Sequence, residues 1–136
     1  MFTYYRKAQY HETDSMGVIH HSNYIKWMEE ARVAFLDEAG VGYAEIEKKS
    51  FVSPVVSLSV DYKKPVFFSD EVEISLSVKS YNGIRLELEY SFFNRTRNEL
   101  CTTAFSKHCF IKDGRIISLK KQFPELDVKF SEYIAE

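Results

Sequence analysis

Two periodicities divide this chain. Across residues 23–36 apolar side chains recur at Tyr24, Met28, Ala31 and Phe35, with Trp27 and Leu36 widening the stripe. That is the spacing of one buried helical face. Ser22 or Asn23 is placed to cap the helix, because a short oxygen-bearing side chain accepts from the free N–H groups of a first turn. Gly40 marks its stop. From Val55 the period falls to two. Val56, Leu58, Val60 and Tyr62 alternate with Ser57, Ser59, Asp61 and Lys63, which predicts a half-buried strand. Pro65 after it marks a bulge or an edge. Val72, Ile74, Leu76 and Val78 give the next strand its apolar face. Asn82-Gly83 is a strong hairpin signal, and the strand that follows sets Ile84, Leu86, Leu88, Tyr90 and Phe92 against Arg85, Glu87 and Glu89.

After a turn at residues 95–98, residues 100–111 are apolar on both faces: Leu100, Ala104 and Phe110 against Cys101, Phe105, Cys109 and Ile111. Such a strand is central, or its outer face meets another subunit. Asp113-Gly114 makes a second tight turn, with residues 115–119 able to pair after it. Pro124 opens a short helix with Leu126, Phe130 and Ile134 on one side. An aromatic and basic segment at residues 3–10 supplies a first strand, and residues 41–53 form a connector with helical character at Tyr43 and Ile46. One strand, one apolar helix and a run of antiparallel strands make an α+β two-layer domain. One helix cannot cover a long sheet on both sides, so self-association is expected.

Composition narrows this picture. The 136 residues fit one domain, residues 1–136, and 45% hydrophobic content excludes a disordered chain. A formal charge of −2 offers no basic excess for nucleic acid. No apolar run approaches the length of a membrane span, and the first residues lack a signal-peptide pattern. Cys101 and Cys109 fall on one strand, about 26 Å apart at roughly 3.3 Å per residue. They are too distant for a disulfide and read as reduced, buried thiols of a cytoplasmic protein.

The chemistry gathers in residues 10–32. A polar loop carrying Asp14 and Gly17 feeds into the positive end of the apolar helix. Free N–H groups and aligned peptide dipoles there can hold developing negative charge, so an oxyanion site and a base or nucleophile share one short segment. His11, Glu12, Asp14, His20 and His21 also cluster. They lack a His pair at i and i+4 or a Cys pair, so no metal is expected. His20 reads as a loop residue. Glu29 and Arg32, three apart on the helix, are spaced for a local ion pair.

The run Thr13-Asp14-Ser15-Met16-Gly17-Val18-Ile19-His20-His21-Ser22-Asn23-Tyr24 resembles the 4-hydroxybenzoyl-CoA thioesterase family of hotdog-fold acyl-CoA thioesterases, and Glu29, Ala31 and Arg32 resemble that family's helix. Ile19 stands where Val is usual, Glu12 where Asp is frequent, and Met16 where many members have a second glycine. The resemblance implies an antiparallel sheet wrapped around one long central helix. It implies dimers joined through continuous sheets, or dimers of dimers, with active sites at the dimer interface. The implied reaction is hydrolysis of a fatty or aromatic acyl-CoA to acid and CoA, without metal or dissociable cofactor. Asp14 matches the catalytic aspartate, and His21 the position whose backbone N–H polarises the thioester carbonyl. Gly17 and Val18 belong to the substrate loop, and Tyr24, Trp27 and Met28 are candidates to line the acyl channel. Lys63, Lys64, Arg95 and Arg97 are candidates for the CoA phosphates. The alternatives are a non-hydrolytic binder of acyl-CoA or acyl carrier protein, and a hotdog enoyl-CoA hydratase or dehydratase.

Overall fold

The computed structural model describes residues 1–134; the side chain of Tyr43 lies outside that description. Five strands form one antiparallel sheet in the order β1 (Phe2–Lys7), β3 (Glu71–Tyr81), β4 (Arg85–Asn94), β5 (Glu99–Cys109) and β2 (Val55–Tyr62). Helix α1 (Ser22–Glu38) packs on one face of it. The predicted stripes meet there. Tyr24, Trp27, Met28, Ala31 and Phe35 of α1 are buried against Val72, Ile74, Leu76 and Val78 of β3 and Leu86, Leu88, Tyr90 and Phe92 of β4. Helix α2 (Tyr43–Lys48), the hairpin β6–β7 (Ile111–Lys112 with Arg115–Ile116), α3 (Leu119–Gln122) and α4 (Pro124–Glu132) close the ends of the layer. Phe130 of α4 stacks on Phe35 and Phe110 and seals the core at the C-terminal end of α1.

Gly40 ends α1 as expected. It adopts φ +81°, its N–H donates to the Asp37 carbonyl, and the Val41 N–H reaches back to Leu36, which together satisfy the last carbonyls. The start differs from expectation. His21 holds the cap position, and neither Ser22 nor Asn23 caps with its side chain. Asn23 Nδ2 instead donates to the Glu12 carbonyl at 2.9 Å, while the Ser22 N–H donates to Nδ1 of His20 at 3.2 Å. The first strand is also shorter than residues 3–10, because Tyr10–Glu12 curl into a 3-10 turn.

Two strands depart from the alternation read in the sequence. β2 is the sheet's edge, paired only with β5, so Val56 is 58% exposed and only Leu58 and Val60 are half-buried. In β5 the register shifts: Phe93 faces Leu100 while Phe92 faces Thr102, leaving Cys101 as the extra residue of a bulge. The bulge swaps the faces. Thr102, Ala104, Ser106 and His108 are the buried even-numbered positions, and Leu100 is exposed. Both cysteines are free and buried.

Candidate active site

Residues 13–19 fold into a tight arch. Thr13 bridges Ile19, the Asp14 N–H donates to the Val18 carbonyl at 2.8 Å, and the Gly17 N–H donates to the Asp14 carbonyl at 3.1 Å. Gly17 makes the turn at φ +82°, a left-handed conformation in which a side chain is strained. Inside the arch, Oδ1 of Asp14 accepts the N–H groups of Met16 at 2.8 Å and Val18 at 3.3 Å. The second oxygen has no partner among the described residues, and Asp14 is half-buried. Turn-capping thus occupies one oxygen of the carboxylate and leaves the other free for chemistry.

The arch is tied to α1 through Glu12, which the sequence reading left without a role. Its carboxylate accepts from Arg6 Nη2 at 2.8 Å and Nη1 at 3.2 Å, from the Gln9 N–H at 2.8 Å, and from Trp27 Nε1 at 2.8 Å. Its carbonyl accepts the His20 N–H at 2.9 Å as well as Asn23. A buried carboxylate needs such partners, and the consequence is a loop fixed to both β1 and the first turns of the helix.

At the helix start, Ser22, Asn23 and Tyr24 donate their N–H groups to His20 and His21. The N–H of His21 has no acceptor among the described residues. Its ring is exposed, packed against His20 at 4.2 Å and edge-on to Tyr62. The Tyr62 hydroxyl donates to the His21 carbonyl at 3.2 Å, which pins the end of β2 beside this amide.

A cavity of about 550 Å³ lies between α1, the start of β2 and the sheet. Glu29, Arg32, Val33, Val55, Leu88 and His108 are among its walls. It is some distance from the arch: Val55 and Tyr62 are seven residues apart along β2, about 23 Å at the usual strand rise. Among the described residues no cluster of His, Cys, Asp and Glu is arranged to hold a metal ion, and no helix is long and apolar enough to cross a membrane.

Residues 8–130 match the thioesterase-like superfamily. The chain belongs to that superfamily. A provisionally named acyl-CoA thioesterase of Bacillus subtilis, YneP, is 36% identical over 121 residues, spanning 88% of this chain and 87% of its own. A 1,4-dihydroxy-2-naphthoyl-CoA hydrolase of Crocosphaera subtropica is 28% identical over 111 residues, 80% of this chain and 81% of its own. Among solved structures, a DHNA-CoA thioesterase from Staphylococcus aureus superposes with a TM-score of 0.90 at 36% identity, covering 96% of this chain and 88% of that one. The architecture is therefore the hotdog fold, and the protein is a thioester hydrolase.

Within this thioesterase the candidate residues fall into three groups. Asp14, Gly17 and Val18 lie in the arch, which ends two residues before His21 at the helix start, and Val18 bridges Phe67. Lys63 and Lys64 follow Tyr62 directly and share this end of the molecule; Lys63 pairs with Asp61 at 2.9 Å, and Lys64 has no ion pair among the described residues. Arg97 stacks 4.1 Å over Phe67 and pairs with Asp70 at 3.0 Å. The rest are placed elsewhere. Tyr24, Trp27 and Met28 are buried core, and the Trp27 N–H is already spent on Glu12. Tyr4 faces α1 through its bond to Glu30, so the next residue, Tyr5, faces away, and Arg95 lies over Tyr5 on that outer face. Glu29 and Arg32 form no ion pair; Arg32 Nη1 is drawn instead to the Tyr90 hydroxyl at 3.1 Å.

Proposed function

We propose that this thioesterase hydrolyses acyl-CoA, with Asp14 as base or nucleophile and the His21 N–H as oxyanion donor. The observation that carries the reading is the pairing of an unpartnered Asp14 oxygen with an unpartnered amide at the start of α1. In the general-base course, Asp14 takes a proton from water as the water oxygen attacks the thioester carbon. The carbonyl oxygen becomes an oxyanion facing the helix N-terminus. Collapse breaks the C–S bond, the sulfur leaves with the proton from Asp14, and acid and CoA thiol are released. In the nucleophilic course Asp14 attacks first and water resolves a mixed anhydride. Lys64 and Lys63 are placed to meet the phosphates of the CoA tail.

The working unit is proposed to be a dimer joined through β2. Its outer backbone edge is unpaired among the described residues. An antiparallel junction of two such edges sets the Val55 end of one copy against the Tyr62 end of the other. The cavity of one protomer then opens beside the Asp14 arch of its partner. The names of the relatives support an aromatic acyl-CoA as substrate.

The test is thiol release across straight-chain and aromatic acyl-CoA substrates for wild type and Asp14→Asn. Turnover should fall by about 10²–10⁴-fold with an unchanged melting temperature. Unaltered turnover would remove Asp14 from the reaction. Label from ¹⁸O-water entering Asp14 in a single turnover would identify direct attack. Mixing Asp14→Asn with a chain whose cavity is filled by Val33→Trp should restore about a quarter of the sites, because each heterodimer holds one intact pairing.

A further inference from the structure

The arch rests on a strained turn. Residues 66–70 lead into β3, and the Ile19 N–H donates to the Val66 carbonyl at 2.8 Å while Val18 bridges Phe67. Ser69 takes φ +76°, a left-handed conformation that persists only where the surroundings impose it. Two backbone bonds tie the turn to Ala8, just past β1: the Ser69 N–H donates to the Ala8 carbonyl at 3.0 Å, and the Ala8 N–H to the Asp70 carbonyl at 2.9 Å.

The Asp70 carboxylate holds the rest. Its Oδ2 accepts the Phe67 N–H at 3.0 Å, Asn94 Nδ2 at 2.8 Å and Arg97 Nε at 3.0 Å. Asn94 Oδ1 accepts the Arg97 N–H at 3.1 Å, which closes a ring between this turn and the connection from β4 to β5. Burial alone would raise the Asp70 carboxyl. The bonds from Phe67, Asn94 and Arg97 outweigh it and hold the group below the usual carboxylate range. A side-chain charge only 5% exposed is a costly way to finish a turn. A neutral side chain could cap the same N–H. What the charge adds is fixity, because three charge-assisted bonds converging on one oxygen leave Phe67 a single place. Phe67 passes this to Val18. Val18 meets Asp14 twice: its carbonyl accepts the Asp14 N–H, and its own N–H reaches Asp14 Oδ1.

We propose that Asp70 is a positioning residue for the reaction: through Phe67 and Val18 it holds the Asp14 carboxylate in place, and Arg97 serves this clamp rather than the phosphates of CoA. The inference rests on the reading of Asp14 as the reacting group.

The test compares wild type, Asp70→Asn and Arg97→Met by thiol release from acyl-CoA. It also follows the ¹H–¹⁵N resonances of Met16 and Val18, the two amides that donate to the Asp14 carboxylate. Asp70→Asn should lower kcat by about 10–100-fold with KM changed less than about twofold, since a displaced reacting group costs turnover while substrate is still held. Both resonances should shift or broaden. In an Asp14→Asn background the same substitution should lower turnover by less than about twofold, because nothing is left to position. An equal loss in both backgrounds marks a general defect and overturns the proposal, as do unmoved resonances. The Arg97 side chain is 44% exposed, so Arg97→Met carries the test should Asp70→Asn fail to fold. A lower kcat at constant KM then supports the clamp, and a raised KM at constant kcat returns Arg97 to the phosphates and overturns it. Loss of turnover in Asp14→Asn with none in Asp70→Asn overturns this proposal alone. Wild-type turnover in Asp14→Asn overturns both.

Discussion

Replacing Glu12 by alanine should be the most damaging single change near the arch that leaves the proposed reacting groups intact. Its carboxylate is 3% exposed and Arg6 opposite is 17% exposed, so solvent screens the pair weakly. Truncation strands the Trp27 N–H in a residue with no exposed surface, at about 1–3 kcal/mol for a buried orphan donor. Arg6 loses two contacts but keeps Glu30 at 2.8 Å, so its share is about 1–2 kcal/mol rather than the full cost of an abandoned buried charge. The Gln9 amide, at a 3-10 turn, regains water. The expected loss is about 3–4 kcal/mol, within reach of a stability of about 5–15 kcal/mol. Urea unfolding followed by fluorescence of Trp27, the sole tryptophan, reads it as a lower midpoint at constant slope. Glu12→Gln keeps the volume but turns an amide N–H₂ toward donors, and should lose about 2 kcal/mol. A loss below about 1 kcal/mol for Glu12→Ala would refute the reasoning, since backbone bonds alone would then hold the loop.

Three further outcomes follow from the same structure. His108 has a folded-state value of about 4 against about 6.5 unfolded, so the unfolded chain binds the extra proton as pH falls through this window. Its contribution is intact above pH 7 and should be reduced by about 2 kcal/mol at pH 5, an acid sensitivity that His108→Gln should lessen in urea midpoints taken at the two pH values. Burial pushes the Cys101 thiol up to about 11, and Cys109 is buried as well; a thiol reagent should leave both untouched in the native state and titrate two groups in denaturant. Gly17→Ala meets open space but a left-handed backbone, so it should cost about 1 kcal/mol by calorimetry and lower turnover with little change in KM.

The sequence made legible whatever is settled by neighbours. The period-two runs of β3 and β4 and the stripe of α1 are each fixed by local spacing, and they bury the residues they predict except Ile84, which precedes β4 and is exposed, and Leu36, which is half-buried. The arch was equally legible, because the bonds of Asp14 stay within residues 14–18. What escaped depends on distance along the chain. The bulge at Cys101 exchanges the faces of β5, so Leu100 turns outward although period two places it on the face of Ala104, Ser106 and His108, which are buried. Arg32 and Tyr90 are 58 residues apart, and no spacing rule joins them. The expected Glu29–Arg32 pair was a sound local inference that lost to this remote hydroxyl. Glu12 is the intermediate case: its acidic character was visible, but its burial follows from Arg6 and Trp27 arriving from opposite sides.

The arch and the cavity sit at opposite ends of β2, with the strand's length between them. Under the proposed function such a separation is a division of labour. Substitutions at Val33, Leu88 or Arg32 reshape the chamber without disturbing the carboxylate or the amide beside it. On the proposed assignment of the two ends, descendants of such a protein can exchange one acid product for another by changes at one end, while the reacting groups proposed for the other are inherited whole.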